Sequence, residues 1–276
     1  MTFSTATPEM ASALKALWSR VFGDPDDYID FFFKNCFSAA ETMVAHDNST
    51  PFSMLFLLPM EVRAGEISYP ARYVYAVATA PEMRSQGLSG ALLRETHRVL
   101  RERGIALSLL VPASESLFGY YAARGYRTEF YERVIRWQGA SDGETLPLIP
   151  TDCAAQRAVR DRFFSDCVRY GAYDEAALSY RGAENDFLGG TTLAFSQEGQ
   201  DGYAVCLPQG DTVLVRELAG EPNETLLRSI ARYFDCPRVQ VRCPGGEGDK
   251  PFAMTCWYTQ EPPALSGRTA LSLVLD

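Results

Sequence analysis

Lysine is almost missing from this chain, with none between Lys34 and Lys250. A phosphate-binding P-loop needs glycine, four residues, then Gly-Lys and a hydroxyl residue, so that class is excluded over the whole interval. Histidine is as scarce: His46 and His97 leave little material for a His-rich metal site or a Ser-His-Asp machine. His97 falls among Arg94, Glu95 and Arg98, which predicts a solvated helix face. The seven cysteines (Cys36, Cys153, Cys167, Cys206, Cys236, Cys243, Cys256) are odd in number, scattered and without a Cys-x-x-Cys pair, which predicts reduced thiols and no disulfide framework. No long apolar run exists either. The longest, Met54 to Met60, is broken by Pro59 and is far too short to span a membrane. The start, Met-Thr-Phe-Ser-Thr-Ala, has neither the basic residues nor the apolar core of a signal peptide, so the expectation is a cytoplasmic protein with no membrane partner. Positive charge is in deficit: 26 Lys and Arg against 35 Asp and Glu give a net charge of -9, the wrong sign for nucleic acid and the better sign for a cationic partner.

What is present suffices for a sizeable core. At 276 residues and 46% hydrophobic content, the default is two domains. Met10, Leu14, Leu17, Trp18 and Val21 recur at helical spacing, with Thr7 as N-cap, and predict a helix from Pro8 to Phe22. After Gly23-Asp24-Pro25 a second helix is denser in apolar residues than one stripe needs: Tyr28, Ile29, Phe31, Phe32, Phe33, Cys36 and Phe37. Several of these are therefore expected to face a pocket or the second domain. Strand periodicity follows in Thr42–His46, Phe52–Val62 and Glu66–Tyr69, an antiparallel meander feeding a further strand, Tyr73–Thr79.

That last strand opens the most informative stretch. It ends at Pro81, a glycine-containing turn follows through Arg84, Ser85, Gln86, Gly87, Leu88, Ser89 and Gly90, and a leucine-rich helix runs on to a stop at Gly104. The first turn of such a helix has backbone NH groups with no intrahelical partner, reinforced by the positive end of the dipole, so an anion fits there. Gly87 and Gly90 remove side chains that would block a pyrophosphate, and Arg84 adds a charged donor. A dinucleotide fingerprint needs three glycines, and Ser85 stands in place of the first.

The pattern Arg84-x-x-Gly87-x-Ser89, with Val77-Ala78-Thr79-x-Pro81 before it and Leu92-Leu93 after it, resembles the acyl-coenzyme A loop of the GNAT acetyltransferases. Ser89 departs from the usual small residue, and the valine and proline stand further apart than in the common form. A second element resembles the family's Phe-Tyr-x-x-x-Gly-Phe segment: after an apolar strand, Ile105 to Val111, come Ser114 as helix cap, then Tyr120-Tyr121-Ala122-Ala123-Arg124-Gly125-Tyr126. The resemblance implies a GNAT-like mixed sheet flanked by helices over residues 1–138, with acetyl-CoA as co-substrate and no metal. It also implies cofactor contacts from Val77, Ala78 and Thr79 on the strand and from Arg84 to Gly90 in the loop. Two central strands should part near Pro112. Tyr121, four residues before Gly125, takes the place of the catalytic tyrosine that protonates the departing thiolate. From periodicity alone Tyr120 and Tyr121 read as core.

Residues 139–150, punctuated by Gly139, Gly143, Pro147 and Pro150, read as a linker. Residues 151–276 repeat the order of helices, meander, helix and strand without the Arg-x-x-Gly loop, while Glu217, Glu221 and Glu224 bring negative charge to the equivalent turn. The expectation is a second, degenerate GNAT-like α/β domain, an arrangement similar to the enhanced intracellular survival branch of the family in shortened form. That branch is thought to use the chain's terminal carboxylate as base, which would give Asp276 a catalytic role, although an apolar last strand reads equally well from Ala270 to Asp276. The implied activity is N-acetylation of a primary amine on a small cationic substrate. The alternative is a non-catalytic acyl-CoA sensor or interaction protein. The sequence leaves the acceptor and the oligomeric state open.

Overall fold

In the computed structural model, which describes residues 1–48, 50–139, 142–260 and 266–275, the N-terminal meander consists of β1 (Thr2–Thr5), β2 (Thr42–Asp47), β3 (Thr50–Ala64) and β4 (Ile67–Thr79), each antiparallel to the next. The strands expected at Glu66–Tyr69 and Tyr73–Thr79 are one. Pro70 does not break it, because the Pro70 carbonyl, and with it the place of the missing amide, faces Ala106 (2.9 Å) outside the β3–β4 ladder. β1 is an edge strand that periodicity over four residues did not reveal.

Between β1 and β2 lie α1 (Ala11–Phe22), entered through a 3-10 turn at Pro8–Met10, and α2 (Asp26–Asn35). Gly23, at φ 72°, ends α1, and Pro25 starts the next helix with Asp26 and Asp27 on its positive end. Trp18 and Phe32 are buried against each other with ring centroids 4.8 Å apart, and Phe56 of β3 lies 5.4 Å and 4.9 Å from them. This aromatic block fixes both helices to one face of the sheet. On the other face lies α3 (Leu88–Glu102), whose Leu88, Leu92, Leu93 and Leu100 are buried and which stops where Gly104 turns to φ 69°. β5 (Leu107–Leu110) follows, buried throughout, then α4 (Glu115–Ala122) and β6 (Arg127–Gln138). Ser114 occupies the N-cap of α4, but its hydroxyl pairs with Ser116 Oγ (3.0 Å) and not with a backbone amide.

The second half contains β7 (Ile149–Pro150), α5 (Arg157–Phe164), β8 (Arg169–Ala172), α6 (Glu175–Phe187), β9 (Thr191–Gln197), β10 (Gln200–Gln209), β11 (Thr212–Ala219), α7 (Glu224–Tyr233), β12 (Arg238–Gly245), β13 (Lys250–Trp257) and β14 (Thr269–Ala270). All main strands join one sheet in the order β1-β2-β3-β4-β5-β13-β6-β12-β11-β10-β9-β7. The two halves therefore exchange strands. β13 lies between β5 and β6, and β6 lies between β13 and β12. The parallel pairs β4/β5 and β11/β12 flank this centre symmetrically. Glu217 is not at the turn before α7; it is a fully buried residue of β11, paired with Arg160 Nε (3.0 Å) and accepting hydrogen bonds from Tyr203 and Ser272. The apolar end of the chain forms only the short β14, and residues 271–275 run on without regular structure. Asp276 lies outside the described residues.

Candidate active site

Pairing of β4 with β5 is confined to Ala71–Tyr73 against Leu107–Leu109. Beyond it β4 bulges: Phe56 faces Tyr75 and Met54 faces Ala78, so Ala76 and Val77 oppose Leu55 alone, and Ala76 sits at φ 48°. A bulge bends its strand and re-aims the side chains, and a non-glycine residue held at positive φ costs about 1–3 kcal/mol that its surroundings must offset. With Pro112 ending the ladder on the other side, the strands part as expected. The gap belongs to a cavity of ≈ 1610 Å³, walled here by Val74, Tyr75, Ala76, Val77 and residues 110–115. Ala78 and Thr79 turn instead toward β3, where Ser53 Oγ donates to the Ala78 carbonyl (2.7 Å) and lies 2.9 Å from Thr79 Oγ1.

The loop after β4 is tied to itself. Arg84 Nε donates to the Thr79 carbonyl (3.3 Å), Gln86 Nε2 to the Glu82 carbonyl (3.1 Å), and Ser85 adopts φ 62°. Gly87, at φ 74°, is the N-cap of α3, which no side chain caps, and a Cβ placed on it would meet nothing within 4 Å. The first helical bond runs from the Ala91 amide to the Gly87 carbonyl (3.0 Å), so the amides of Leu88, Ser89 and Gly90 precede the ladder. The contrast with the second half is informative: Asp174 caps α6 at the Ala177 amide (2.7 Å), and Asn223 caps α7 at the Leu226 amide (3.0 Å). A Cβ on Gly90 would lie 3.1 Å from the Arg124 guanidinium, so the missing side chain there makes room for Arg124.

Arg124 was not singled out from sequence. Its guanidinium stacks 3.4 Å over the Tyr120 ring, Nη1 donates to the Tyr120 carbonyl (2.6 Å), and the buried Nε has no hydrogen-bond partner among the described residues. Ser89 Oγ is 2.8 Å from the Tyr120 hydroxyl. Tyr120 thus ties the start of α3 to α4 and holds a cation beside amides that precede the helix ladder, an arrangement suited to an anion. The available signal was the i, i+4 spacing of an aromatic and an arginine.

Tyr121 projects from α4 into the cavity wall. Its ring packs edge-on against Tyr120 and Tyr126, and among the described residues its hydroxyl has no hydrogen-bond partner. Burial, then the neighbouring Tyr120, raises its pKa to about 12, so the phenol keeps its proton at neutral pH and can donate it.

At the α2 and α6 end the cavity is acidic and aromatic. Asp24, Asp27 and Glu184 line it with Trp18, Phe22, Tyr28 and Phe187. Trp18 Nε1 donates to Asp24 (2.6 Å), and the Tyr28 hydroxyl lies 3.3 Å from that of Tyr75 and 3.5 Å from Glu184. Burial and then Glu184 push the Tyr28 phenol to about 12. The dense aromatic residues of α2 do face the pocket and the second half, as Phe31 stacks on Phe187 at 4.6 Å. Leu275 reaches the same cavity, its carbonyl accepting from the Tyr73 hydroxyl (3.2 Å).

His97 is not solvated. It is 6% exposed, with Nδ1 at 2.7 Å from the Tyr258 hydroxyl, because β13 brings Tyr258 from far along the chain to cover it. Among the described residues no cluster of His, Cys, Asp and Glu is arranged to hold a metal, and no helix is long and apolar enough to cross a membrane.

Comparison with known proteins agrees with this geometry. Residues 2–128 match the family model described as the acetyltransferase (GNAT) domain. No curated protein matched the sequence. Among solved structures, a GCN5-related N-acetyltransferase from Anabaena variabilis is similar at a TM-score of 0.69 and 18% identity, covering 92% of this chain and 72% of that one. A protein from Enterococcus faecalis described as a probable N-acyltransferase gives 0.68 and 15% over the same shares. Eis1 from Mycobacterium abscessus gives 0.61 and 13%, covering 91% of this chain and 66% of its own. Residues 2–128, folded around the parted strands and the open helix start, are thus similar to the acetyltransferase (GNAT) domain.

Proposed function

We propose that this chain is an acetyl-CoA-dependent N-acetyltransferase that acylates a primary amine on a small cationic acceptor. The observation that carries the reading is the uncapped start of α3 beside the β4/β5 gap, with Tyr121 lining the same cavity. The fit is specific to the first half: Gly87 leaves open space before the amides, Arg84 and Arg124 add charge, and no comparable opening exists at α6 or α7. Acetyl-CoA bound there would supply the acyl thioester.

The chain's own groups do the rest. Amides at the start of α3 and the two guanidiniums hold the diphosphate. Val77, at the bulge, borders the place where the acyl group lies. Asp24 and Asp27 attract the ammonium form of the acceptor and Trp18, Tyr28 and Phe187 face it, which suits a cation carried on an apolar or extended body. Asp276, next in sequence to Leu275 at the cavity wall, carries the carboxylate that takes the amine's proton, and Tyr121 returns a proton to the thiolate. We also propose that residues 1–138 and 151–276 are two repeats joined by a linker at 139–150, the second without a cofactor site.

The test is a thermal melt with acetyl-CoA, then turnover on polyamines and aminoglycosides. A ligand at one hundred times its dissociation constant adds about 2.7 kcal/mol to the native state, so the midpoint must rise. An unchanged midpoint sinks the reading. A raised midpoint with no product from any amine assigns a sensor instead.

A further inference from the structure

The second half has its own parted strands. β11 and β12 pair in parallel only through Thr212–Val215 and Arg238–Val241. Just beyond, β11 carries one extra residue against β10: Cys206 faces Val215 and Val205 faces Glu217, leaving Arg216 at the bulge. The gap that follows, between Glu217–Leu218 and Arg242–Pro244, corresponds to the gap in the first half that opens on the large cavity. Here it is filled by the chain itself. Ala270, Leu271 and Ser272 lie in it and leave only ≈ 20 Å³, room for about one water.

From that gap residues 272–275 run irregularly to the active-site cavity, with Leu273 at φ 53°. Four consecutive carbonyls are each held by a side chain: Ser272 by the Tyr173 hydroxyl (2.8 Å), Leu273 by Arg181 Nε (2.8 Å), Val274 by Arg216 Nη2 (3.1 Å) and Leu275 by the Tyr73 hydroxyl (3.2 Å). Arg216 is the pivotal donor. Its Nη1 donates to Glu184 (2.7 Å), itself part of the acidic cavity wall, so one planar cation joins the acceptor pocket to the terminal segment. Both partners are buried, at 5% and 2% exposure. A bulge is the device that aims such a side chain away from the regular pleat.

We propose that Arg216, assisted by Arg181, is a positioning residue for the acyl transfer: it fixes residues 272–275 so that the segment enters the cavity beside Tyr73, in register with the acceptor pocket. The second half then serves as the holder of this segment, in the place where its sister half has the cofactor gap. The inference rests on the function proposed above, and its test separates the two.

Arg216→Met and Arg216→Lys are compared with the parent by steady-state kinetics, acetyl-CoA titration and hydrogen exchange of segment 269–275. Loss of a charged hydrogen bond predicts about a 10- to 100-fold fall in kcat for the Met variant, acetyl-CoA affinity unchanged within about twofold, and amides of 272–275 exchanging at least about tenfold faster. The Lys variant should recover part of both. Because Met leaves Glu184 buried and unpaired, the double variant Glu184→Met, Arg216→Met removes both charges and keeps a foldable core. Unchanged exchange and unchanged kcat in a folded variant overturn the proposal. A parent without turnover on any amine, whose Met variant nevertheless loses protection at 272–275, overturns the acyl-transfer reading and upholds the clamp.

Discussion

His97 should make this protein acid-labile in a way that one substitution removes. The ring is buried on α3, hydrogen-bonded through Nδ1 to Tyr258, which continues to Ser108 (2.6 Å) and from there to Tyr126 (2.9 Å), while Nε2 is buried with no hydrogen-bond partner among the described residues. Burial, then Arg101, lowers its pKa from 6.5 to about 4. Because the folded state holds the ring neutral, this group costs nothing above the unfolded value, penalises the native state as pH falls through 6.5, and levels off below about 4. A shift of that size amounts in full to about 3 kcal/mol, of which about 2 kcal/mol is felt at pH 5. His97→Gln keeps a polar partner for Tyr258 and removes the titration. Urea unfolding at about pH 7.5 and about pH 5 should show the parent losing about 2 kcal/mol more than the variant, since the remaining carboxylates cancel in the double difference. Equal losses in the two proteins would refute the assignment of a buried neutral imidazole.

Tyr121→Phe should lower kcat by roughly two orders of magnitude while leaving the acetyl-CoA-dependent rise in melting midpoint intact, which kinetics and a melt on one sample will check. Gly87→Asp puts a carboxylate at the open start of α3 on a backbone at φ 74°, which should cost about 1–2 kcal/mol of stability by urea unfolding and abolish the acetyl-CoA-dependent rise; a retained rise would mean the anion binds elsewhere. Phe32→Ala removes a fully buried ring between Trp18 and Phe56 and should cost about 3–5 kcal/mol by urea unfolding. A chain cut after Gln138 lacks β12 and β13, so it should leave one edge of β5 and both edges of β6 bare and aggregate, whereas co-expression of residues 139–276 should restore soluble protein.

Much of the first half was legible because its signals are local. The spacing of Leu14, Leu17 and Trp18, the stop at Gly104 and the turn through Gly87 all depend on neighbours within a few residues, and each element lies where those neighbours put it. What failed depended on distant partners. Nothing near His97 reveals that Tyr258 will cover it, and Glu217 looks like a turn carboxylate until Arg160 arrives from α5. The neighbour of Gly90 was hidden for the same reason, since Arg124 arrives from just after α4. The apolar end of the chain showed a strand's composition, yet its carbonyls are taken by side chains of Tyr173, Arg181, Arg216 and Tyr73 and not by a ladder.

The strand exchange explains how the two halves can differ so much and still depend on each other. A sheet that places β13 inside the first half and β6 beside β12 cannot be divided at the linker without breaking ladders on both sides, so the second half stays bound to the first whether or not it holds a ligand. In the second half the start of α7 is closed by Asn223 and the strand gap is filled by Ala270–Ser272, each of which lowers the cost of buried polar groups left open. The same closure supplies what the first half lacks. Glu184 from α6, and Arg216 from the second bulge acting on Val274, bring charge and a held backbone to a cavity whose own strand, Tyr73–Thr79, carries no acid. In that arrangement the site is assembled from both halves, and substitutions far from the cofactor loop, on α6 or β11, should alter acceptor handling before they alter acetyl-CoA binding.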